Sequence, residues 1–211
     1  MRIFSYVVAR DYGFAPNPFY GFCTLATCKP KIRRHASIGD WIVGITAKVD
    51  RRVPGILYVM RVDQAVSFNE YWNDPAYKLK QPLRFGSLKQ ALGDNIYHRQ
   101  SPDVPWIQAD SHHSLENGQP NIHNIINDTQ TDRVLISRHF AYWGSEAIDI
   151  PAQFLDFNGI SLSVGRAHKS KFPNDFVTDF VQWFESLNLQ GYLGTPYRWV
   201  GKNASWARSR P

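Results

Sequence analysis

The sequence predicts an α+β fold built on a curved sheet or small β-barrel with flanking helices. Three observations carry this expectation: several separate strand-like runs, few and short helical stretches, and long loops between them. Strand and helix patterns do not alternate cleanly along the chain, which argues against a doubly wound parallel sheet.

Residues 3–9 are rich in Ile, Phe, Tyr and Val and read as a first strand. The run ends at Arg10-Asp11, and a loop of Gly, Pro, Asn and aromatic residues follows, Tyr12 to Phe19. Turn-rich loops on a rigid scaffold are where function concentrates. Residues 19–28 are small and apolar and predict a short helix stopped by Pro30. Gly39-Asp40 predicts a turn into a second strand, Trp41 to Thr46, and Gly44 within it implies a bulge or a close backbone approach. Residues 47–54 form a charged hairpin connection to a third strand, Gly55 to Val62. Ser67 and Glu70 have the spacing of a capping box for a short helix through Trp72, closed by Asp74-Pro75. Residues 80–130 are polar and full of turn formers, and predict a long, loop-rich insertion. Arg133 to Ser137 and Gly159 to Gly165 read as a fourth and a fifth strand. The clearest helix spans 174–189, where Phe176, Phe180, Trp183, Phe184 and Leu187 share a face. Asn174 is its expected cap, Asp175 sits in its first turn and Gly191 is its expected stop. The expected organisation is one domain over residues 1–201 and a basic tail over 202–211.

A hydrophobic content of 43% supports a real core, and an aromatic content of 14% makes that core and any pocket ring-rich. No apolar run approaches the roughly 20 residues of a membrane helix, and the N-terminus lacks the layout of a signal peptide. The expected location is cytoplasmic, with no membrane partner. Cys23 and Cys28 do not have zinc-pair spacing, and they read as reduced, half-buried thiols. The net charge of +6 is clustered. Lys29, Lys31, Arg33 and Arg34 form one basic stretch; Arg166, His168, Lys169 and Lys171 a second; Arg198, Lys202, Arg208 and Arg210 a basic end. Such clusters can neutralise phosphates, or simply form solvated faces.

Walker loops, Gly-rich dinucleotide fingerprints, HExxH and nucleophile elbows are all missing from the sequence, so no cofactor is expected. Five clusters remain. Arg10, Asp11 and Asn17 could address a phosphate or the edge of a base, or brace a turn. Lys29 and Arg33 could grip a nucleic-acid backbone. Trp41 could be a stacking wall or an ordinary core residue. His98, His112, His113 and His123, with Asp94, Asp103 and Asp110 nearby, match no standard metal spacing, and no metal is expected. Arg166, His168 and Lys169 gather basic groups at a strand end, where His168 could act as acid or base near neutral pH.

The stretches Tyr6 to Phe19, Cys23 to Arg33, Gly39 to Gly44 and Gly165 to His168 resemble the nucleotide modification associated domain type two family. The resemblance covers nearly the whole chain. It implies a setting in bacterial and phage systems that install or handle modified DNA bases, with other proteins of a modification or defence system as further partners. A looser likeness joins Gly39-Asp40-Trp41, Gly55 to Val62 and Phe68 to Pro75 to PUA-like domains, including the EVE and YTH groups, whose small barrels hold a modified base. The long 80–130 segment departs from that pattern. The resulting expectation is a domain that binds a modified nucleobase or nucleotide, most simply in DNA and flipped from its stack. Arg10, Asp11, Asn17, Phe19 and Trp41 would meet the base. Lys29, Arg33, Arg166, His168 and Lys169 would hold phosphates. One alternative is an enzyme acting on the base or nucleotide, with Asp11 and His168 as an acid–base pair. Another is a protein-interaction module.

Overall fold

The structure is a computed structural model, and it describes residues 1–48, 50–163, 165 and 167–200. Strand β1 (Ile3–Val8) is followed by β2 (Cys23–Leu25) and helix α1 (Pro30–His35). Next come β3 (Trp41–Thr46), β4 (Gly55–Arg61), β5 (Gln64–Val66) and α2 (Phe68–Asn73). The insertion holds α3 (Leu88–Ala91), β6 (Tyr97–His98), β7 (Ile107–Gln108) and α4 (Ile122–Asp128). The remainder is β8 (Val134–Ser137), β9 (Phe140–Tyr142), β10 (Ile148–Asp149), α5 (Ala152–Leu155), β11 (His168–Lys169), α6 (Asn174–Ser186) and β12 (Gly191–Tyr192).

The main sheet is mixed and seven-stranded, ordered β11-β1-β3-β4-β9-β12, with β10 also paired to β4. It does not close into a barrel: the order ends at β11 on one side and β12 on the other. β1 and β3 run parallel, joined by a crossover through β2 and α1. Period-two alternation splits the side chains of these strands between two cores. Ile3, Trp41, Val43 and Ile45 pack with Phe154, Phe176, Phe180 and Phe184 of α5 and α6. Phe4, Tyr6, Val8 and Ile42 pack with Cys23, Leu25, Ile32 and Leu135 of β2, α1 and β8. A third cluster, with Phe14, Phe22, Phe68, Tyr71 and Tyr97, ties the insertion to β8 through Val134 and Ile136.

Gly44 shows both features its strand position implies. The β3–β4 register shifts between Gly44 and Ile45. A Cβ on Gly44 would stand 2.3 Å from the Tyr58 ring and 2.9 Å from Val8. That missing side chain lets Tyr58 reach Tyr6, and their hydroxyls share a buried hydrogen bond of 2.9 Å. The capping box also forms: Ser67 N–H donates to Glu70 (2.7 Å) and Glu70 N–H donates to Ser67 (3.2 Å). Asp74 then accepts from Ala76 N–H and opens a 3₁₀ helix over Pro75–Lys80.

Four expectations change. Residues 19–28 are not helical, because Cys23–Leu25 form a buried strand against β8. Pro30 starts α1 instead of stopping a helix, since a first-turn residue needs no N–H partner. Among the described residues of 159–165, only an isolated bridge, Phe157 to Ile160, stands where a fifth strand was expected. The sheet takes that strand's place from β9 and from the short β10 and β12. Helix α6 is preceded by Pro173, not capped by Asn174, and it ends at Ser186, where Asn188 turns left-handed (φ 50°). Gly191 opens β12 instead. The expected tail lies outside the described residues.

Replacing Gly44 with Val overpacks the Tyr6–Tyr58 contact. The expected loss is about 1–3 kcal/mol of stability, read as a lower denaturant midpoint. An unchanged midpoint would contradict the close approach.

A cavity with a Cys–His–Asp relay as candidate functional site

β1 delivers Tyr6 and Val8 to the floor of a cavity of about 790 Å³ and releases Ala9 and Arg10 at its rim. The loop after β1 adds Tyr12 and Phe14; the entry to α1 adds Cys28, Lys29 and Lys31. The insertion supplies His112 and His113, the end of α4 supplies Asn127, and His168 of β11 closes the ring. Its aromatic wall is continuous: Tyr12 lies 4.5 Å from His112, and Phe14 lies 5.1 Å from His112 and 4.7 Å from His113, centroid to centroid. Arg10, Lys29 and Lys31 line the cavity, and no Asp or Glu does among the described residues. Burial, followed by the charges of Lys31, His35 and Lys29, pushes the His168 pKa down.

Three side chains remote in sequence meet in this cavity. Cys28 Sγ lies 3.6 Å from His113 Nε2, and His113 Nδ1 donates to Asp128 Oδ2 at 2.7 Å. Asp128 is fully buried and otherwise saturated. Its Oδ2 also accepts from the Tyr97 hydroxyl (2.9 Å), and its Oδ1 accepts from Cys28 N–H (2.8 Å) and Asn127 Nδ2 (3.2 Å). Burial lowers the His113 pKa, but its bonds to Asp128 and Cys28 outweigh it and raise the pKa to about 10. Burial likewise opposes the Asp128 carboxylate, and the His113 bond wins, so its pKa is lowered.

The loop that presents Cys28 is unusual in its backbone. Cys28 and Lys29 both take positive φ, 57° and 40°, a conformation non-glycine residues rarely adopt. Arg33 holds it there. Its guanidinium is buried and donates to the carbonyls of Cys28 (2.9 Å), Thr131 (3.1 Å) and Arg133 (2.7 Å), and to that of Asp128. Burial lowers its pKa to about 10.

Cys28, His113 and Asp128 are also close enough to hold a metal ion. The donor set fits one poorly. Asp128 sits on the Nδ1 side of the imidazole and the sulfur on the Nε2 side, and all four hydrogen bonds to the carboxylate would compete with a metal. This arrangement matches an oriented imidazole between a thiol and a carboxylate.

Of the base and phosphate contacts expected from sequence, Arg10, Lys29 and His168 line the cavity. The other described ones do not. Asp11 is buried, and both its oxygens accept from the Tyr142 hydroxyl at 2.7 and 2.8 Å. It also accepts from the N–H groups of Gly13 and Tyr197, and burial pushes its pKa up to about 6. Asp11 and His168 are thus not brought together around the cavity. Asn17 is buried: its Nδ2 donates to Gly13 and Leu92 carbonyls and its Oδ1 accepts from Lys80. Phe19 packs against Trp199 and Tyr192. Trp41 belongs to the core of α6, edge-on to Phe184. Arg33 spends its donors on carbonyls, and Lys169 donates to Ser161 O. Arg166 lies outside the described residues.

Cys28 and Asp128 were not singled out as a site by sequence; Tyr12 and Phe14 lay in the loop expected to carry function, without a contact assigned to either. His112 and His113 were noticed only as possible metal ligands. The available signal was a His-His pair in an insertion and one cysteine beside a basic stretch.

Residues 1–203 match the family described as nucleotide modification associated domain 2. The chain belongs to that family. Membership points to a role in nucleotide or DNA modification systems. No curated protein and no solved structure matches the chain. Among the described residues, no helix is long and apolar enough to cross a membrane.

The His113–Asp128 pair has a pH signature. The raised His113 pKa stabilises the fold fully below its ordinary 6.5, and the gain is lost as pH rises toward about 10. The lowered Asp128 pKa adds stability above its ordinary 3.8, lost as pH falls. His113→Ala should therefore cost most between pH 3.8 and 6.5, about 3 kcal/mol for breaking a buried pair, and progressively less toward pH 10. Denaturant melts of both proteins across that range check this; a pH-independent gap would refute it.

Proposed function

We propose that the cavity binds a nucleotide bearing a modified base, most simply as a unit of DNA. The observation that carries this reading is the lining itself: three cations and an aromatic wall with no carboxylate among the described residues. A planar base fits against Tyr12, Phe14 and His112, and a phosphate fits between Arg10, Lys29 and Lys31. The volume of about 790 Å³ lies within the range of small-molecule sites. Lys29 Nζ stands 4.6 Å from the centre of the Tyr6 ring and 3.5 Å from the Val7 carbonyl, which holds its charge at the cavity floor. Membership of a nucleotide modification family supports the ligand class. These base contacts differ from those expected from sequence, Asp11, Asn17, Phe19 and Trp41, none of which lines the cavity.

The reading is tested by filter binding of modified and plain oligonucleotides across a salt series. Lys31→Glu and Arg10→Glu alter exposed residues and should leave the fold intact. Each should weaken binding by roughly 10-fold or more, the worth of one charge-assisted contact. Each lost phosphate contact should also flatten the salt dependence by about one in log–log slope. Absence of binding to any oligonucleotide or nucleoside monophosphate at low salt would refute the reading.

A further inference from the structure

We propose that Cys28 is the nucleophile of an acyl-transfer site, with His113 as its acid–base and Asp128 as the positioning residue, acting on an amide or ester carried by a nucleotide. The substrate class rests on the nucleotide reading above; the nucleophile does not.

The groups around His113 commit one imidazole nitrogen and leave the other facing the thiol. His113 Nδ1 is committed to Asp128, so its Nε2 is the nitrogen that faces Cys28 Sγ at 3.6 Å. A neutral imidazole oriented this way accepts the thiol proton at Nε2, and the carboxylate stabilises the imidazolium that results. Asp128 also receives the N–H of Cys28 itself, so one carboxylate sets both the base and the backbone of the nucleophile. Cys28 is partly exposed and lines the cavity, whereas Cys23 is fully buried. No second thiol therefore reaches the cavity to form a disulfide with Cys28. What the relay provides is a proton store beside the sulfur, and acyl transfer uses such a store twice.

The thiolate sulfur bonds to the acyl carbon, and the carbonyl π electrons move to oxygen. They return to break the bond to the leaving nitrogen or oxygen, which takes the proton from His113 Nε2. Water then gives a proton to Nε2 and bonds to the thioester carbon. The carbon–sulfur bond breaks, and the sulfur is restored. The products are a carboxylic acid and a nucleotide amine or alcohol. The reaction consumes water alone, and it removes an acyl group from a modified nucleotide. Chemistry that installs such a group must precede it.

The test uses the full chain with p-nitrophenyl acetate as acyl donor and iodoacetamide as a thiol probe, each site read by peptide mass spectrometry. The expected result is an acetyl adduct on Cys28 and none on Cys23, with Cys28→Ser losing it. His113→Ala should slow acetylation by about 100-fold, the usual worth of a positioned acid–base. Wild-type alkylation by iodoacetamide should persist at pH 6 and lose that persistence in His113→Ala. Should His113→Ala fail to melt cooperatively, Asp128→Asn and the wild-type pH profile carry the same comparison. Finding neither an acid-trapped adduct on Cys28 nor a p-nitrophenol release that Cys28→Ser abolishes, or finding equal rates in wild type and His113→Ala, would overturn the nucleophile. So would stoichiometric zinc that blocks alkylation. Slowing of acetylation by saturating nucleoside monophosphate or oligonucleotide would support the substrate class. Unslowed acetylation would overturn that class and leave the nucleophile standing.

Discussion

The cavity depends on one buried cation. Arg33 is fully buried, and its guanidinium is satisfied entirely by backbone carbonyls: those of Cys28, Asp128, Thr131 and Arg133. Cys28 lies five residues before it, and Asp128 lies 95 residues after it. One side chain therefore fixes the nucleophile's loop to the end of α4. A planar guanidinium can do this because its donors fan out in a fixed fork, which a lysine ammonium cannot reproduce. The burial is costly, and the carbonyl cage together with the nearby Asp128 charge offsets it. Without Arg33, four carbonyl acceptors would lose their donor, and of the bonds on the left-handed pair Cys28-Lys29 the Cys28 carbonyl's would be gone, leaving the Cys28 N–H on Asp128.

The protein holds two buried polar networks that differ in one respect. Lys80 donates to Asn17 O and Oδ1, Phe22 O and Thr24 Oγ1, while Asp94 accepts from Thr24 and Tyr71. The donors and acceptors of that network meet inside the protein. It anchors the loop after β1 to the insertion, and burial drives the Lys80 pKa down to about 8. The His113 network is closed on its Nδ1 side and opens on its Nε2 side to a cysteine at a cavity wall. The first network makes a scaffold. The second has the asymmetry that proton transfer to a ligand needs.

The parts of the fold that were legible in the sequence are those where a local rule has one outcome. A run such as Ile3 to Val8 cannot be an amphipathic helix, Ser67 and Glu70 satisfy each other within a single turn, and Gly44 in a strand demands a close neighbour. Pro30 illustrates the opposite case, because proline both ends helices and begins them, and only the pairing of Cys23–Leu25 with β8 decides. Arg33 was misread as a surface charge because charge alone does not reveal a cage of carbonyls contributed from residues 128 to 133. The triad was illegible for the same reason: its members are separated by 85 and 15 residues. Only the packing of the insertion against α1 and β8 brings them together.

The loop from Arg10 to Phe19 shows why polar residues in a loop are a weak guide to a site. A loop that packs into a core must satisfy its own backbone and side-chain polar groups. Asp11 and Asn17 serve that need, one holding Tyr142 and the segment at Tyr197, the other holding Lys80 and bridging to Thr24. Their hydrogen bonds are spent inside the protein, and it is their neighbours that line the cavity. Tyr12 and Phe14 face the cavity because Asp11, Gly13 and Asn17 fix the turn between them. In this loop the polar chemistry visible in the sequence builds the wall, and the rings beside it face the cavity.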